Sequence, residues 1–222
     1  MVDTAKQILL FVSALIPIVN PLGNSPIILS LTRHYPASAR RALSRRIATN
    51  SLFLLLGSYL LGAHVLAFFG ISLSVVQIGG GLMIISTAWA MLKGPDEEKG
   101  KRHNVRDTMR PQDKVDRSFY PLTFPLTVGP GSISVAIALG ANAPPQYGDR
   151  HLVIMAAIIG SLVVALSIFL CYGFADYLSR IMGETAMDVI MRLCAFLLIC
   201  IGVQIMWNGM KALIVSGPLH PH

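Results

Sequence analysis

Apolar positions in this chain do not alternate with polar ones and do not follow a one-sided helical stripe. They run on in six long windows with almost no charge, at about 8–32, 47–69, 73–92, 119–141, 152–175 and 189–214. Only the last holds charged residues, Arg192 near its start and Lys211 near its end. Crossing a hydrocarbon core of roughly 30 Å takes about 20 residues as a helix, so each window is long enough to span a bilayer. Six consecutive helices that are apolar all round would leave a soluble fold without amphipathic helices to cover them. Strand-like alternation is absent, which excludes a membrane barrel. The pattern predicts an all-α membrane protein with six transmembrane helices.

Composition and charge sharpen this. The 222 residues are 54% hydrophobic and 13% charged, against roughly 25% charged in an ordinary soluble domain. A formal net charge of +7 in a soluble chain would raise nucleic-acid binding, but here the basic residues sit between the apolar windows and no nucleic-acid partner is expected. The lipid bilayer is the partner that composition implies. The odd-numbered connections carry Arg33, Arg40, Arg41, Arg45, Arg46, eight Lys or Arg from Lys93 to Arg117, and Arg180, a total of 14. The opposite side has Lys6, Arg150 and Lys211. The positive-inside bias then places the odd connections in the cytoplasm and both termini outside. The apolar run at 8–19 follows a single Lys6 and precedes no small-residue cleavage site, so it is expected to stay as the first span.

Two windows are interrupted. Span one holds Pro17, Asn20, Pro21, Gly23, Asn24 and Pro26 at its middle, and span four holds Pro125, Gly129, Pro130 and Gly131. Prolines remove amide donors and clash with preceding carbonyls, glycine adds backbone freedom, and Asn side chains compete for backbone partners. Pro21 and Pro130 stand 109 positions apart, Pro17 and Pro125 stand 108 apart, and spans three and six match weakly at an offset of 115 around Gly79, Gly80 and Gly81. These offsets predict a duplication: a first three-helix repeat at 1–92, a charged linker at 93–117 expected to lie in the cytoplasm as a solvated tether, and a second three-helix repeat at 118–222. Three spans per repeat is an odd number, so the repeats are inverted, with helices one and four discontinuous.

Unwound backbone at membrane depth is tolerated only where it is buried in protein or lines a polar cavity. Helices resuming after Pro26 and Pro130 would present free N–H groups and the positive ends of their dipoles, suited to a carboxylate. Unwound carbonyls and the side chains of Asn20, Asn24, Ser25, Thr127, Ser132 and Ser134 suit an ammonium or hydroxyl. Neither break contains Asp or Glu, so a zwitterionic or neutral small molecule fits better than a cation. Protons and sodium are both open as coupling ions, and no metal site or other cofactor is expected.

The remaining singular residues read more plainly. Cys171, Cys194 and Cys200 lie in apolar runs without metal-ligand spacing and are expected as small core side chains. Arg192 is expected to snorkel, His64 to lie at an interface, Gly79–Gly81 to serve helix packing, and Tyr172 and Tyr177 beside Asp176 to form an aromatic belt. No paired intramembrane Asp, H-E-x-x-H or G-x-S-x-G context appears, and an enzyme is not expected.

The Asn20-Pro21-Leu22-Gly23-Asn24-Ser25-Pro26 stretch, followed by Pro125-Leu126-Thr127-Val128-Gly129-Pro130-Gly131-Ser132-Ile133, resembles the MarC family over essentially the whole chain. The resemblance implies a prokaryotic inner-membrane protein with inverted repeats, similar to carriers of small neutral amino acids such as glycine and alanine. It carries Asn20, Pro21, Gly23, Asn24, Gly129, Pro130, Gly131 and Ser132 forward as substrate-binding residues. Thr127-Val128 departs from it, standing where several relatives have a small residue. The expected function is secondary transport, by rocking of one three-helix half against the other around a midplane site. An exporter of amino acids or toxic small molecules and a non-transporting scaffold are the alternatives.

Overall fold

The computed structural model describes residues 2–32, 35–93, 118–142 and 150–216. The predicted linker at 93–117 lies outside the described residues except for its first position. Eight helical elements follow one another: α1 (Val2–Val19), α2 (Pro21–Leu31), α3 (Ala37–Phe68), α4 (Leu73–Lys93), α5 (Ser118–Thr127), α6 (Pro130–Ala141), α7 (Arg150–Gly173) and α8 (Ala175–Ser216). No strand occurs among the described residues.

Five stretches are long and apolar enough to cross a membrane: Ala5–Leu31, Ala37–Phe68, Leu73–Lys93, Val153–Gly173 and Thr185–Val215. Ser118–Thr127 and Pro130–Ala141 together supply a sixth, bent by 70° at the intervening break. Large apolar side chains such as Phe53, Leu61, Phe68, Leu193 and Phe196 stand exposed on the outside of the bundle. In water such a surface would be an aggregation liability, whereas in lipid it is the solvent-facing side. The chain is an integral membrane protein.

α3 packs along α7 and α4 along α8, while the two interrupted spans fill the space between these pairs. The main buried cluster runs from Phe11 and Leu15 through Ile47 and Leu55 to Val164 and Tyr172. A smaller cluster of Ile84, Ala88 and Leu198 belongs to α4 and α8. We call the end bearing residues 35–46, Lys93 and Gly173 the basic end, and the end bearing Val2, Phe68, Ala141 and Ser216 the terminal end.

At the basic end, Arg40 is buried at 7% side-chain exposure and donates to the Asp176 carboxylate at 2.6 Å. The neighbouring Arg41 lies 5.1 Å from the centre of the Phe174 ring. Together they tie the start of α3 to the junction of α7 and α8. The aromatic belt expected there is half right: Tyr177 is exposed, but Tyr172 is fully buried. The cysteines are also less interior than expected, with Cys171 and Cys194 half-buried and Cys200 exposed, because a lipid-facing helix surface is as apolar as a core. Arg192 and His64 are both exposed.

Close helix approach rests on small residues. A side chain at Gly140 would run into the Tyr59 backbone carbonyl, and one at Gly81 would meet Gly202 O at 2.6 Å. Of the three consecutive glycines in α4, Gly80 and Gly81 face neighbours whereas Gly79 faces open space. Gly140→Ala is expected to destabilise by about 1–3 kcal/mol, the usual cost of overpacking. Gly57→Ala, with nothing near its Cβ, should be neutral or slightly stabilising, since glycine is the weaker helix former. Thermal unfolding in detergent, followed by size-exclusion chromatography, separates the two.

Candidate functional site

The two breaks meet, and their hydrogen bonds explain how. Asn20 sits between α1 and α2 in the left-handed region, at φ 46° and ψ 58°, a conformation that Asn tolerates better than most residues. Its Oδ1 accepts from Gly23 N at 3.1 Å. That capture takes away the amide that helical geometry would give to Val19 O, and Asn24 Nδ2 fills the vacancy at 3.0 Å. In span four, Pro130 has no N–H to offer Leu126 O, and the same Asn24 Nδ2 lies 3.4 Å from that oxygen. One amide thus serves a leftover carbonyl in each break.

The remaining hydroxyls close local vacancies. Pro26 cannot donate to Leu22 O, and Ser25 Oγ does so at 2.9 Å. This corrects the expectation that the helix resumes after Pro26: α2 begins at Pro21, and Pro26 lies within it. α5 is wound as a π-helix, with non-helical backbone at Tyr120 and Phe124 and cis bonds before Pro121 and Pro125. Its wide turns free carbonyls that Thr123 and Thr127 reach: their Oγ1 atoms donate to Ser118 O at 2.6 Å and Leu122 O at 2.7 Å. Ser132 Oγ donates to Gly129 O at 2.9 Å and Ser134 Oγ to Gly131 O at 2.8 Å. Tyr172, from α7, brings its hydroxyl within 3.2 Å of Thr127 Oγ1.

Beside this junction lies a cavity of about 330 Å³, bounded by α1, α2, α4, the α5–α6 break and α8. Asn20, Asn24, Thr127, Gly129, Pro130, Gly131 and Ser132 line it, together with Thr87, Met83 and Leu198. Four other site residues expected from sequence stay out of the wall. Pro21 starts α2, Gly23 lies under the Asn20 side chain, Ser25 is turned to Leu22, and Ser134 is pressed against Gly80. Sequence reading missed Thr87, which is one exposed hydroxyl among many in an apolar span, and Tyr172, whose place at a span end reads as interfacial.

The two helix starts differ. At α2 the Asn20 side chain occupies an N-terminal amide, whereas α6 begins at Pro130 with no side-chain cap on Gly129. The first N–H groups of a helix have no intrahelical acceptor and carry the positive end of its dipole. Asn20 Nδ2 is the second open donor: the residue is 5% exposed, and this nitrogen has no hydrogen-bond partner among the described residues. The Ser132 and Thr127 oxygens, whose hydrogens are already used, remain as acceptors. Among the described residues, no ionisable side chain lines the cavity.

Fold and site together define a polytopic helical membrane protein with a polar cavity, lined by no ionisable group among the described residues, at two interruptions of helical backbone. The chain belongs to the MarC family of integral membrane proteins, which matches residues 5–214. It is 30% identical to the membrane protein YvbG of Bacillus subtilis over 90% of this chain and 92% of that one. It is 27% identical to the inner membrane protein MarC of Salmonella paratyphi B over 96% and 98%, and 28% identical to the membrane protein YhcE of Escherichia coli over 91% of each. No solved structure matches it.

Asn24→Leu should leave Val19 O and Leu126 O without their shared donor. An unsatisfied buried group costs about 1–3 kcal/mol, so a clear fall in melting temperature is expected. Thr49→Ala, which removes an exposed hydroxyl bonded only to Arg45 O, should change stability by about 0.5 kcal/mol or less. Equal effects of the two would show that the bridge between the breaks is not needed.

Proposed function

We propose that this protein is a secondary transporter of small neutral solutes, with zwitterionic amino acids such as glycine and alanine as its substrates, working by alternating access. The observation that carries the reading is the polar cavity that Asn20, Thr127 and Ser132 line beside the uncapped start of α6. The free amides of that helix start suit a carboxylate, Asn20 Nδ2, buried and without a partner among the described residues, is a further donor once its side chain turns, and the acceptor oxygens of Thr127 and Ser132 suit an ammonium. The absence of a charged wall suits a solute whose own charges cancel. At roughly 30 Å³ for each water, a cavity of about 330 Å³ has room for a small amino acid and several waters. The solute passes unchanged, and the coupling ion is a proton or sodium.

The inverted-repeat arrangement belongs to this reading. Exchanging α1 with α5, α2 with α6, α3 with α7 and α4 with α8 turns the packing of α3 on α6 into that of α7 on α2. It likewise turns α1 on α7 into α5 on α3, α4 on α6 into α8 on α2, and α1 on α6 into α5 on α2, all of which occur. Near closure under exchange supports two three-helix repeats about a pseudo-two-fold axis, with spans one and four as the discontinuous members. The distribution of Lys and Arg supports a cytoplasmic basic end and a terminal end that faces outward. The 330 Å³ cavity would then lie nearer the cytoplasmic side.

Purified protein in liposomes should take up labelled glycine or alanine, and imposing proton or sodium gradients one at a time should identify the coupling ion. Asn20→Ala and Gly131→Leu should abolish flux while insertion and monodispersity persist, because the first removes the free donor and the second drives a side chain against Ile84 at the cavity wall. Flux in neither direction across a broad panel of small neutral solutes would sink the carrier reading, and normal flux in both variants would remove the breaks as its site.

A further inference from the structure

Resting on the carrier reading, we infer that a cavity toward the terminal end is a second binding station for the same zwitterionic solute, and that α4 with the span-six part of α8 exchanges access between the two stations. This cavity has a volume of about 460 Å³, and its polar groups are Lys6, Gln7, Tyr59, Gln77, Asn142 and Asn208. Among the described residues, Lys6 is the one charged group of its lining and has no ion-pair partner. It takes the carboxylate. Asn142 Nδ2 donates to Ala138 O at 2.9 Å, which leaves its oxygen and the Gln77 amide to meet the ammonium.

Both cavities lie on one seam. Each has α4 and α8 on one wall, through Thr87 and Leu198 in the first and Gln77 and Asn208 in the second, and the interrupted spans on the other. The apolar core divides along the same seam: one cluster draws on α1–α3 and α5–α7, the other on α4 and α8. Ile18 and Ile205 touch both clusters, and each lines one cavity, so they stand between the two stations.

The connections into the pair carry its hinges. Gly70 (φ 66°) and Gly183 (φ 71°) are the positive-φ glycines among the described residues. Gly70 joins α3 to α4, and Gly183 interrupts α8 just before Thr185, where span six begins. A Cβ at either would meet nothing within 4 Å, so neither glycine serves close packing. Upstream of Gly183, Asp176 is held to α3 by Arg40. Within the pair, Gly81 lies against Gly202 and Met206, and Gly209 against Ser74. Packing this close makes α4 and α8 one body, and that body takes one helix from each three-helix half. The motion therefore cuts across the repeats instead of rocking one against the other.

Two disulfides separate these motions in a C171S, C194S, C200S background. Gly81→Cys with Met206→Cys joins α4 to α8, where a built Cβ lies 2.9 Å from Met206 Cβ. Gly80→Cys with Ser134→Cys joins α4 to α6, where the corresponding distance is 2.5 Å. Both pairs cross the boundary between the halves, but only the second crosses the seam. The expected result is that the first bond leaves glycine flux intact and the second stops it until reductant is added. Arrest by both, or by neither, overturns the moving pair.

Lys6→Gln should raise the half-saturating glycine concentration for uptake from the terminal side about tenfold, as expected for loss of a charge-assisted hydrogen bond. The maximal rate should hold, and Lys6→Arg should restore the affinity. An unchanged half-saturating concentration overturns the second station. Labelling of Thr87→Cys and Asn208→Cys with an impermeant maleimide reads the exchange without flux and covers variants that assemble poorly. Glycine should lower access at one position and raise it at the other, whereas parallel change or none overturns the inference. A parent protein that moves no solute overturns the carrier reading itself, and that failure is distinct from intact flux with a motionless seam.

Discussion

Everything at the centre of this molecule depends on placing backbone hydrogen bonds where helices are broken and water is scarce. An unpaired carbonyl costs little in a surface loop but several kcal/mol in a hydrocarbon environment. Asn24 answers for Val19 O and Leu126 O at once, so the break in span four is satisfied through a side chain of span one. That shared donor fixes the register of α2 against the α5–α6 junction, and this in turn sets the cavity wall. Tyr172 extends the network into α7 through Thr127. The buried polar groups are therefore positioned by each other and not by lipid.

A polar network that satisfied every member would leave nothing for a ligand. Here the accounts close nearly everywhere at the breaks and stay open at Asn20 Nδ2 and the α6 start, while Arg40 Nε, Ser51 Oγ and Ser161 Oγ lack partners away from them among the described residues. Asn20 uses its oxygen on Gly23 N and so silences an N-terminal amide of α2, but its own nitrogen gains nothing in return. Gly129 has no side chain with which to cap α6. The two breaks thus differ in role despite their similar sequence: one supplies a side-chain donor from a capped start, the other a bare helix terminus. On the carrier reading, this asymmetry is what would orient a dipolar solute in a cavity with no ionisable wall among the described residues.

Much of this was legible in the sequence because long apolar windows and paired proline clusters are strong one-dimensional signals. The spans and the residues at which they break come directly from them. How far each break extends does not. Pro26 looks like part of an unwound stretch until Ser25 Oγ is seen to replace the bond that Pro26 removes. Ser134 looks like a ligand group until Gly80 is found beside it. Tyr172 and Thr127 are 45 positions apart and Arg40 and Asp176 are 136 apart; no local pattern signals either pair. An aromatic residue or an arginine near a span end has a sufficient explanation in the membrane interface, and only spatial neighbours reveal another.

The distribution of glycine separates two demands that sequence runs together. Glycines at 81, 140 and 202 lie where a Cβ would collide with a neighbouring helix, so they make contact close and motion within it difficult. Glycines at 70 and 183 lie in open space with positive φ, where the residue is needed for its backbone conformation alone. Gly81 and Gly202 bind α4 to α8, Gly140 binds α6 to α3, and on the moving-pair reading the second kind frees the pair from the helices that precede it. The close contacts across the seam, Gly80 on Ser134 and Gly131 on Ile84, join α4 to α6, so on the moving-pair reading the pair parts from α6 between hinges at the starts of both its helices and leaves the Asn24 network undeformed. The hydrogen-bonded breaks can then stay rigid while access changes around them.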